Sequence, residues 1–216
     1  SIMINKFVMQ KDVDRPATES RILQAAEKEF LTKGYAGART TSIAEAAGVT
    51  HAMFHYYFRT KEKLFDRIMT EKIALLKDIM SKTVMEPGQS LEDKLRNVIG
   101  QHLDFLAANP DMPRFLVGEV FGSPERMGAL LDKIKSYSPW VINQMQNLID
   151  ASAAEGLCRR VDAKMLILDI ASLNIFSFMA SPLVNVILGG CLDDMEIFLE
   201  QRKKENFDTI MRKLAL

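Results

Sequence analysis

Apolar residues recur at three- and four-residue spacing along most of the chain, which is the pattern of amphipathic α-helices. The longest example begins at Thr60 and runs to the break at Pro87-Gly88, with apolar positions at Leu64, Phe65, Ile68, Met69, Ile73, Leu76, Ile79 and Met80. No stretch alternates apolar and polar residues between hairpin turns, so no strands are predicted. The pattern therefore predicts an all-α fold of about nine helices.

Capping residues, glycines and prolines predict where these helices begin and end. Thr18 is expected to cap the first helix, which ends at Gly34, and Thr50 to cap the third. Asp162 and Asp193 are expected to open the last two helices. Three further starts are predicted by a capping side chain followed by proline at the first helical position: Asn109-Pro110, Ser123-Pro124 and Ser138-Pro139.

An uncharged run covers residues 170–188, and by length alone it is a candidate membrane span. The run carries polar residues and a proline, and it has no basic anchor after it. These interruptions are Ser172, Asn174, Ser177, Ser181, Pro182 and Asn185. We therefore predict a helix that is buried on nearly all sides of a soluble protein.

Composition and charge narrow the class of protein. The 216 residues are 48% hydrophobic and 26% charged, with 28 basic against 28 acidic side chains, which excludes a disordered chain and a protein that coats nucleic acid by bulk charge. Two cysteines and three histidines predict neither a disulfide framework nor a zinc site. The charge is uneven, however, because residues 33–63 hold five basic and two acidic side chains.

The segment 40–58 has the properties of a DNA-reading helix-turn-helix. Two short helical patterns flank Gly48, which supplies the left-handed turn. The second pattern contains no acidic residue, and it presents hydroxyls and imidazoles that can hydrogen-bond phosphates or base edges. Phe54 and Phe58 lie four apart and are expected on its core side, which leaves the opposite face for DNA.

Three stretches then carry a resemblance to a known family: residues 18–26 with Phe30 and 33–35, residues 41–50, and residues 56–64. Over roughly 48 residues they resemble the DNA-binding head of TetR-family repressors. The resemblance implies a helix-turn-helix DNA-binding domain over 16–60 and a helical ligand-binding and dimerisation domain over 61–216. The residues before them, 1–15, are expected to form a flexible N-terminal arm.

The resemblance also implies which residues contact or adjoin DNA: Thr40, Thr41, Thr50, His51, Ala52, His55, Tyr56, Tyr57 and Lys61. Family members usually have Leu-Tyr where this chain has Phe54-His55, and that tyrosine reaches a phosphate. A histidine donates more weakly and in a pH-dependent way. His51 and His55 are alternatively metal ligands on one helical face, but no third ligand is near in sequence. We expect no metal and no other cofactor.

The larger domain is expected to bind a small apolar or amphipathic effector and to form a homodimer through its last two helices. The candidate ligand contacts, each of which is alternatively plain core, are His102, Phe105, Phe115, Trp140, Asn143, Asn147, Asn174 and Phe178. The buried face of the last helix is expected to comprise Ile197, Phe198, Phe207, Ile210 and Met211.

These observations together predict a cytoplasmic, ligand-responsive transcriptional regulator, most simply a repressor that binds a palindromic operator as a dimer and no membrane. An enzyme is disfavoured, because the sequence offers no catalytic triad, phosphate-binding loop or paired carboxylates. The alternative is an architectural or protein-interaction module that uses the same helix-turn-helix without an effector.

Overall fold

The computed structural model describes the backbone of residues 2–216 and the side chains from Arg15 onward. This part of the chain forms eleven α-helices and one π-helical turn, and it contains no strand. The α-helices are α1 (Ile2–Gly37), α2 (Thr40–Ala46), α3 (His51–Phe58), α4 (Lys61–Met85), α5 (Leu91–Ala108), α6 (Met112–Phe115), α7 (Pro124–Lys135), α8 (Ser138–Ala154), α9 (Ala163–Met179), α10 (Ser181–Ile187) and α11 (Met195–Leu214).

The all-α prediction is confirmed, but the helix count is higher than expected for two reasons. The helix expected to begin at Pro110 is divided into α6 and a π-helical turn, Leu116–Val120. The uncharged run is broken after Met179, because Pro182 opens α10 with a new helix start. The two helices meet there at a bend of 81°.

Several predicted caps are confirmed in detail. The hydroxyl of Thr50 accepts a hydrogen bond from the backbone N–H of Met53, which caps α3. Ser123 caps α7 and Asp162 caps α9 in the same way. These side chains satisfy backbone donors that the first helical turn leaves without an intrahelical partner.

Other predicted caps are wrong, although a helix does begin at Ser138-Pro139. Asn109 ends α5 and donates its side-chain amide to the carbonyl of Phe105, whereas α6 begins at Met112. Ser138 is the first residue of α8, without a capping hydrogen bond. Asp194, and not Asp193, caps α11.

The predicted start of the first helix is also wrong. The backbone of α1 begins at Ile2, and Thr18 lies within it, where its hydroxyl accepts from Arg21 instead of capping a backbone N–H. The expected break at Gly34 is present as a non-helical residue inside α1. A separate arm over 1–15 stays a prediction, because the side chains before Arg15 lie outside the described part of the chain.

The chain divides into two compact units, which we call the head (residues 1–72) and the body (residues 73–216). In the head, α1 packs on α2 and α2 packs on α3. Its fully buried side chains include Ile22, Ile43, Phe54 and Leu64. An aromatic group of Phe30, Tyr35 and Phe65, with edge-on ring contacts, fills the space between the end of α1 and the start of α4.

The body is built around α5, which contacts both α9 and α11. The core of the body comprises Leu95, Ile99, Leu103, Leu106, Met145, Ile149, Leu166, Ile170, Phe178, Phe198, Phe207 and Ile210, among others. The expected buried face of α11 is therefore largely confirmed. Ile197 is the exception, since it is exposed.

An apolar surface lies on α9, on α10 and on Leu188 directly after α10, so the single chain leaves residues 170–188 only partly buried. Val186 is 81% exposed, and the neighbouring exposed side chains are Leu168, Phe176, Leu183, Ile187 and Leu188. We call these six residues the apolar surface. Within the described chain no helix is by itself both long and apolar enough to span a membrane, and α9 with α10 meets that criterion only as a bent pair.

Candidate nucleic-acid interface

The two short helices of the head are held by a tight turn. Gly48 has φ of 65°, the left-handed conformation that glycine adopts without strain, and the N–H of Val49 donates to the carbonyl of Ala44 across 3.0 Å. Ile43 and Ala44 bury one side of α2, and Phe54 with Phe58 buries one side of α3. The opposite side of α3 consequently faces solvent on a rigid support.

The nine side chains expected at DNA all lie in the head. Six of them are exposed: Thr41, Thr50, His51, Ala52, His55 and Tyr56. Thr40, Tyr57 and Lys61 are partly buried. The exposed face of α3 carries hydroxyls and imidazoles without a carboxylate, which suits it to phosphates and to base edges in a major groove.

A chain of hydrogen bonds joins three of these side chains. The hydroxyl of Thr40 lies 3.1 Å from Nε2 of His51, and the same nitrogen lies 3.2 Å from Nε2 of His55. Nδ1 of His55 lies 2.9 Å from the carbonyl oxygen of Arg59. Because a carbonyl oxygen only accepts, Nδ1 of His55 carries a proton. The tyrosine that usually stands at this position reaches a phosphate, whereas the ring of His55 is hydrogen-bonded within the head through both of its nitrogens.

Arg59, which supplies that carbonyl, has an unusual backbone conformation. Its φ of 56° and ψ of −50° make it the one non-glycine residue with a positive φ in the described part of the chain. Such a conformation costs on the order of 1–3 kcal/mol unless its surroundings hold it. Here its N–H donates to the carbonyl of His55 across 3.1 Å, while its own carbonyl accepts from the His55 ring.

Lys61 makes contacts within the head that the sequence did not predict. Its ammonium donates to the carbonyl of Tyr35 across 2.7 Å and to that of Ala38 across 3.0 Å. It also lies 4.6 Å from the centroid of the Tyr35 ring, within reach of a cation–π interaction. Two of its three N–H donors therefore hold the start of α4 against the segment before α2, and one remains for an outside group.

Among the candidate ligand contacts, the structure brings His102 and Asn174 together in a buried polar cluster. The amide nitrogen of Asn174 donates to Nδ1 of His102 and to the carbonyl of Ile99, while its oxygen accepts from Asn206. Nδ1 of His102 is thus an acceptor, which requires the neutral ring. Burial lowers the pKa of His102 from its usual 6.5 to about 4, in agreement with that role. Asn206 was missed, since nothing in the sequence distinguishes it from a surface residue of α11.

The other candidate ligand contacts do not join this cluster. Phe105 and Phe178 belong to the hydrophobic core, and Phe115 is partly buried. Trp140, Asn143 and Asn147 lie on the outward side of α8. Asn143 lines an open groove of about 520 Å³ with Ile142, Gln146, Arg160, Val161, Asp162 and Lys164. The eight candidates therefore do not line one enclosed pocket.

Comparison with known proteins agrees with this arrangement. The family model of bacterial regulatory proteins of the tetR family matches residues 22–68, and that of the tetracyclin repressor-like C-terminal domain matches residues 92–210. These two segments include the helix-turn-helix of the head and most of the body. The second model alone matches more than half of the chain.

Individual relatives are similar over different lengths. The chain is 32% identical over 106 residues to the HTH-type transcriptional repressor SCO4008 of Streptomyces coelicolor, which is 49% of this chain and 51% of that protein. It thus spans about half of that relative's length. It is 30% identical over 192 residues to the HTH-type transcriptional regulator RutR of Escherichia coli O157:H7, covering 86% of this chain and 84% of the relative.

Solved structures show the same fold at lower identity. The transcriptional regulator FadR from Bacillus subtilis, in complex with stearoyl-CoA, superposes with a TM-score of 0.66 at 19% identity, over 88% of this chain and 96% of that one. From the matched family models and the length of the RutR alignment, we conclude that the chain belongs to the TetR family of helix-turn-helix transcriptional regulators.

Proposed function

We propose that the protein is a repressor that binds a palindromic operator as a homodimer and is released by a small effector. The observation that carries this proposal is the outer face of α3, which is exposed, free of carboxylates and held on α2 by a tight turn. A helix of this kind enters the major groove with its N-terminal residues near base edges. In a dimer, the two copies of α3 would enter grooves whose centres are about 34–36 Å apart.

The contacts would divide into two kinds. His51 and Ala52, in the first turn of α3, would read base edges and set the preferred sequence. Tyr57 and the remaining N–H donor of Lys61 would contact phosphates and strengthen binding to any sequence. The modest positive charge of the head would then give weak nonspecific binding and a shallow dependence of that binding on salt.

A second copy of the chain is the proposed occupant of the apolar surface on α9 and α10. Six large apolar side chains exposed together on two neighbouring helices are unusual for a monomer. Ile197 at the start of α11 is also exposed, whereas the rest of that helix presents mainly polar groups to solvent. We therefore propose that α9 and α10 supply most of the apolar dimer contacts, with α11 beside them.

The proposed effector is an apolar or amphipathic small molecule bound by the body, as the stearoyl-CoA complex of the FadR protein from Bacillus subtilis exemplifies. His102 and Asn174 are the candidates for its polar contacts, since they are hydrogen-bonded to each other beside the core of the body. We propose the domain division at residues 60 and 61, so that α4 belongs to the ligand-binding domain. A ligand that moves α4 would alter the spacing of the two copies of α3 and release DNA.

We also propose that the protein acts in the cytoplasm, without catalytic activity or an obligatory cofactor. The family to which the chain belongs consists of regulators. The competing function is an architectural or protein-interaction module that uses the same head without an effector.

Selection of bound sequences from random duplex DNA tests the proposal. Enrichment of a palindrome with half-sites one helical turn apart is the expected result. Binding without any enriched sequence would support the architectural module instead, and no binding would refute both. With the selected operator in hand, a thermal-shift screen followed by fluorescence anisotropy would identify molecules that release it.

A further inference from the structure

The outer face of α3 carries two imidazoles whose nitrogens nearly touch. His51 and His55 are both exposed, and their Nε2 atoms are 3.2 Å apart, with the rings at 81° to each other. We propose that His51 and His55 form a binding site for a divalent transition-metal ion. Two histidines four apart on a helix project from the same side, which is the spacing used by helical zinc sites.

The distance between the two nitrogens suits a shared ion. Zn–N bonds are about 2.0–2.1 Å long, so two nitrogens on one tetrahedral Zn²⁺ lie roughly 3.3–3.4 Å apart. The 3.2 Å separation of the two Nε2 atoms is close to that value. The separation of the two nitrogens would therefore need little change to accept a shared ion.

The second nitrogen of His55 is arranged as it is in many metal sites. Histidines that bind metals usually donate their other ring N–H to a carbonyl or carboxylate, which fixes the tautomer and orients the ring. Nδ1 of His55 donates to the carbonyl of Arg59, so the neutral ring has its lone pair on Nε2. That lone pair faces His51 across the proposed site.

The remaining positions around the ion would be taken by weak ligands. The hydroxyl of Thr40 lies 3.1 Å from Nε2 of His51 and can contact the ion or a water bound to it. No group of three or more His, Cys, Asp or Glu side chains occurs within the described part of the chain, so water would complete the coordination. The two imidazole ligands favour Cu²⁺, Ni²⁺ and Zn²⁺ over Mg²⁺ and Ca²⁺.

The site would affect the proposed function, on which this step rests. A hydrated ion between His51 and His55 would occupy the face of α3 that has to approach the base edges. It would also keep both imidazoles from donating to DNA. Metal and operator are therefore expected to compete for the head.

Titration of the chain without DNA tests the site separately from the proposed function. Isothermal calorimetry of the tag-free protein with NiCl₂ and with ZnCl₂ should find one ion per chain. His51→Gln or His55→Gln should weaken binding roughly a hundredfold, because the chelate is lost.

Two control variants address the other possible ligands. His102→Gln removes the remaining histidine, and Cys191→Ser removes the cysteine that is not fully buried. Both should bind the ion as the unaltered chain does. The proposal is wrong if the unaltered chain takes up neither metal, or if His51→Gln and His55→Gln bind as tightly as the controls.

Fluorescence anisotropy with the selected operator then tests the competition. Saturating Ni²⁺ should weaken operator binding by the unaltered chain and leave the operator affinity of His55→Gln unchanged. Equal operator affinity with and without Ni²⁺ would show that the metal and the operator do not compete. If the chain binds no operator at all, the proposed function fails, whereas the calorimetric titration still decides the metal site.

Discussion

The neutral imidazole of His102 makes the stability of the body sensitive to acid. Burial holds the pKa of His102 at about 4 in the folded chain, against the usual 6.5 in an unfolded one. A lowered pKa means that the folded state favours the neutral ring, so its contribution to stability is complete above about pH 6.5 and is lost as the pH falls towards 4. At about pH 5 these two pKa values correspond to a decrease of up to about 2 kcal/mol in the free energy of unfolding.

The substitution His102→Gln removes this titration and keeps an acceptor for the amide of Asn174. We expect the free energy of unfolding to fall less between about pH 7.5 and about pH 5 in the variant than in the unaltered chain, by up to about 2 kcal/mol. Urea unfolding followed by circular dichroism at fixed protein concentration measures the free energy of unfolding of both proteins at each pH. Asn147→Gln, on the outward side of α8, is the control, because it introduces a glutamine without removing a titrating group. Equal pH dependence in His102→Gln and the unaltered chain would refute the reasoning.

Three further substitutions have definite expected outcomes. Lys61→Ala should lower the affinity for the operator and make that affinity less dependent on salt. It should also destabilise the chain by roughly 2 kcal/mol, because two hydrogen bonds from a charged donor are lost. Unchanged urea unfolding would contradict the hydrogen bonds to Tyr35 and Ala38. Thr50→Ala should cost about 1 kcal/mol of unfolding free energy through loss of the α3 cap, again measured with urea. Val186→Glu should convert the proposed dimer to monomer in sedimentation equilibrium without loss of helix content. A dimer that persists in this variant would argue against the apolar surface as the interface.

Features that depend on neighbours in sequence were largely predictable. Thr50, Ser123 and Asp162 cap helices because each is followed within three residues by the backbone donor that it satisfies. The glycine turn at Gly48 is predictable for the same reason, since its conformation is local. Among the predicted caps that failed, Ser138 is followed by proline as Ser123 is, yet it is the first residue of α8 and that helix has no side-chain cap.

Features that depend on distant partners could not be predicted in this way. The carbonyls that bind Lys61 belong to residues 35 and 38, and the pattern of apolar residues says nothing about where they lie. Asn206 is buried because α11 meets Asn174 of α9. The composition of residues 170–188 suggested a buried helix. Val186 is nevertheless exposed, on the helix that follows the bend between α9 and α10.

The conformation of Arg59 has a consequence for the choice of amino acid at this position. Glycine would adopt the positive φ with less strain, and yet the chain carries the bulky cation there. Arg59→Gly would relax the folded backbone but enlarge the set of conformations open to the unfolded chain, so these effects oppose each other. The guanidinium of Arg59 adds one positive charge at the end of α3, so Arg59→Gly would exchange that charge for a relaxed backbone.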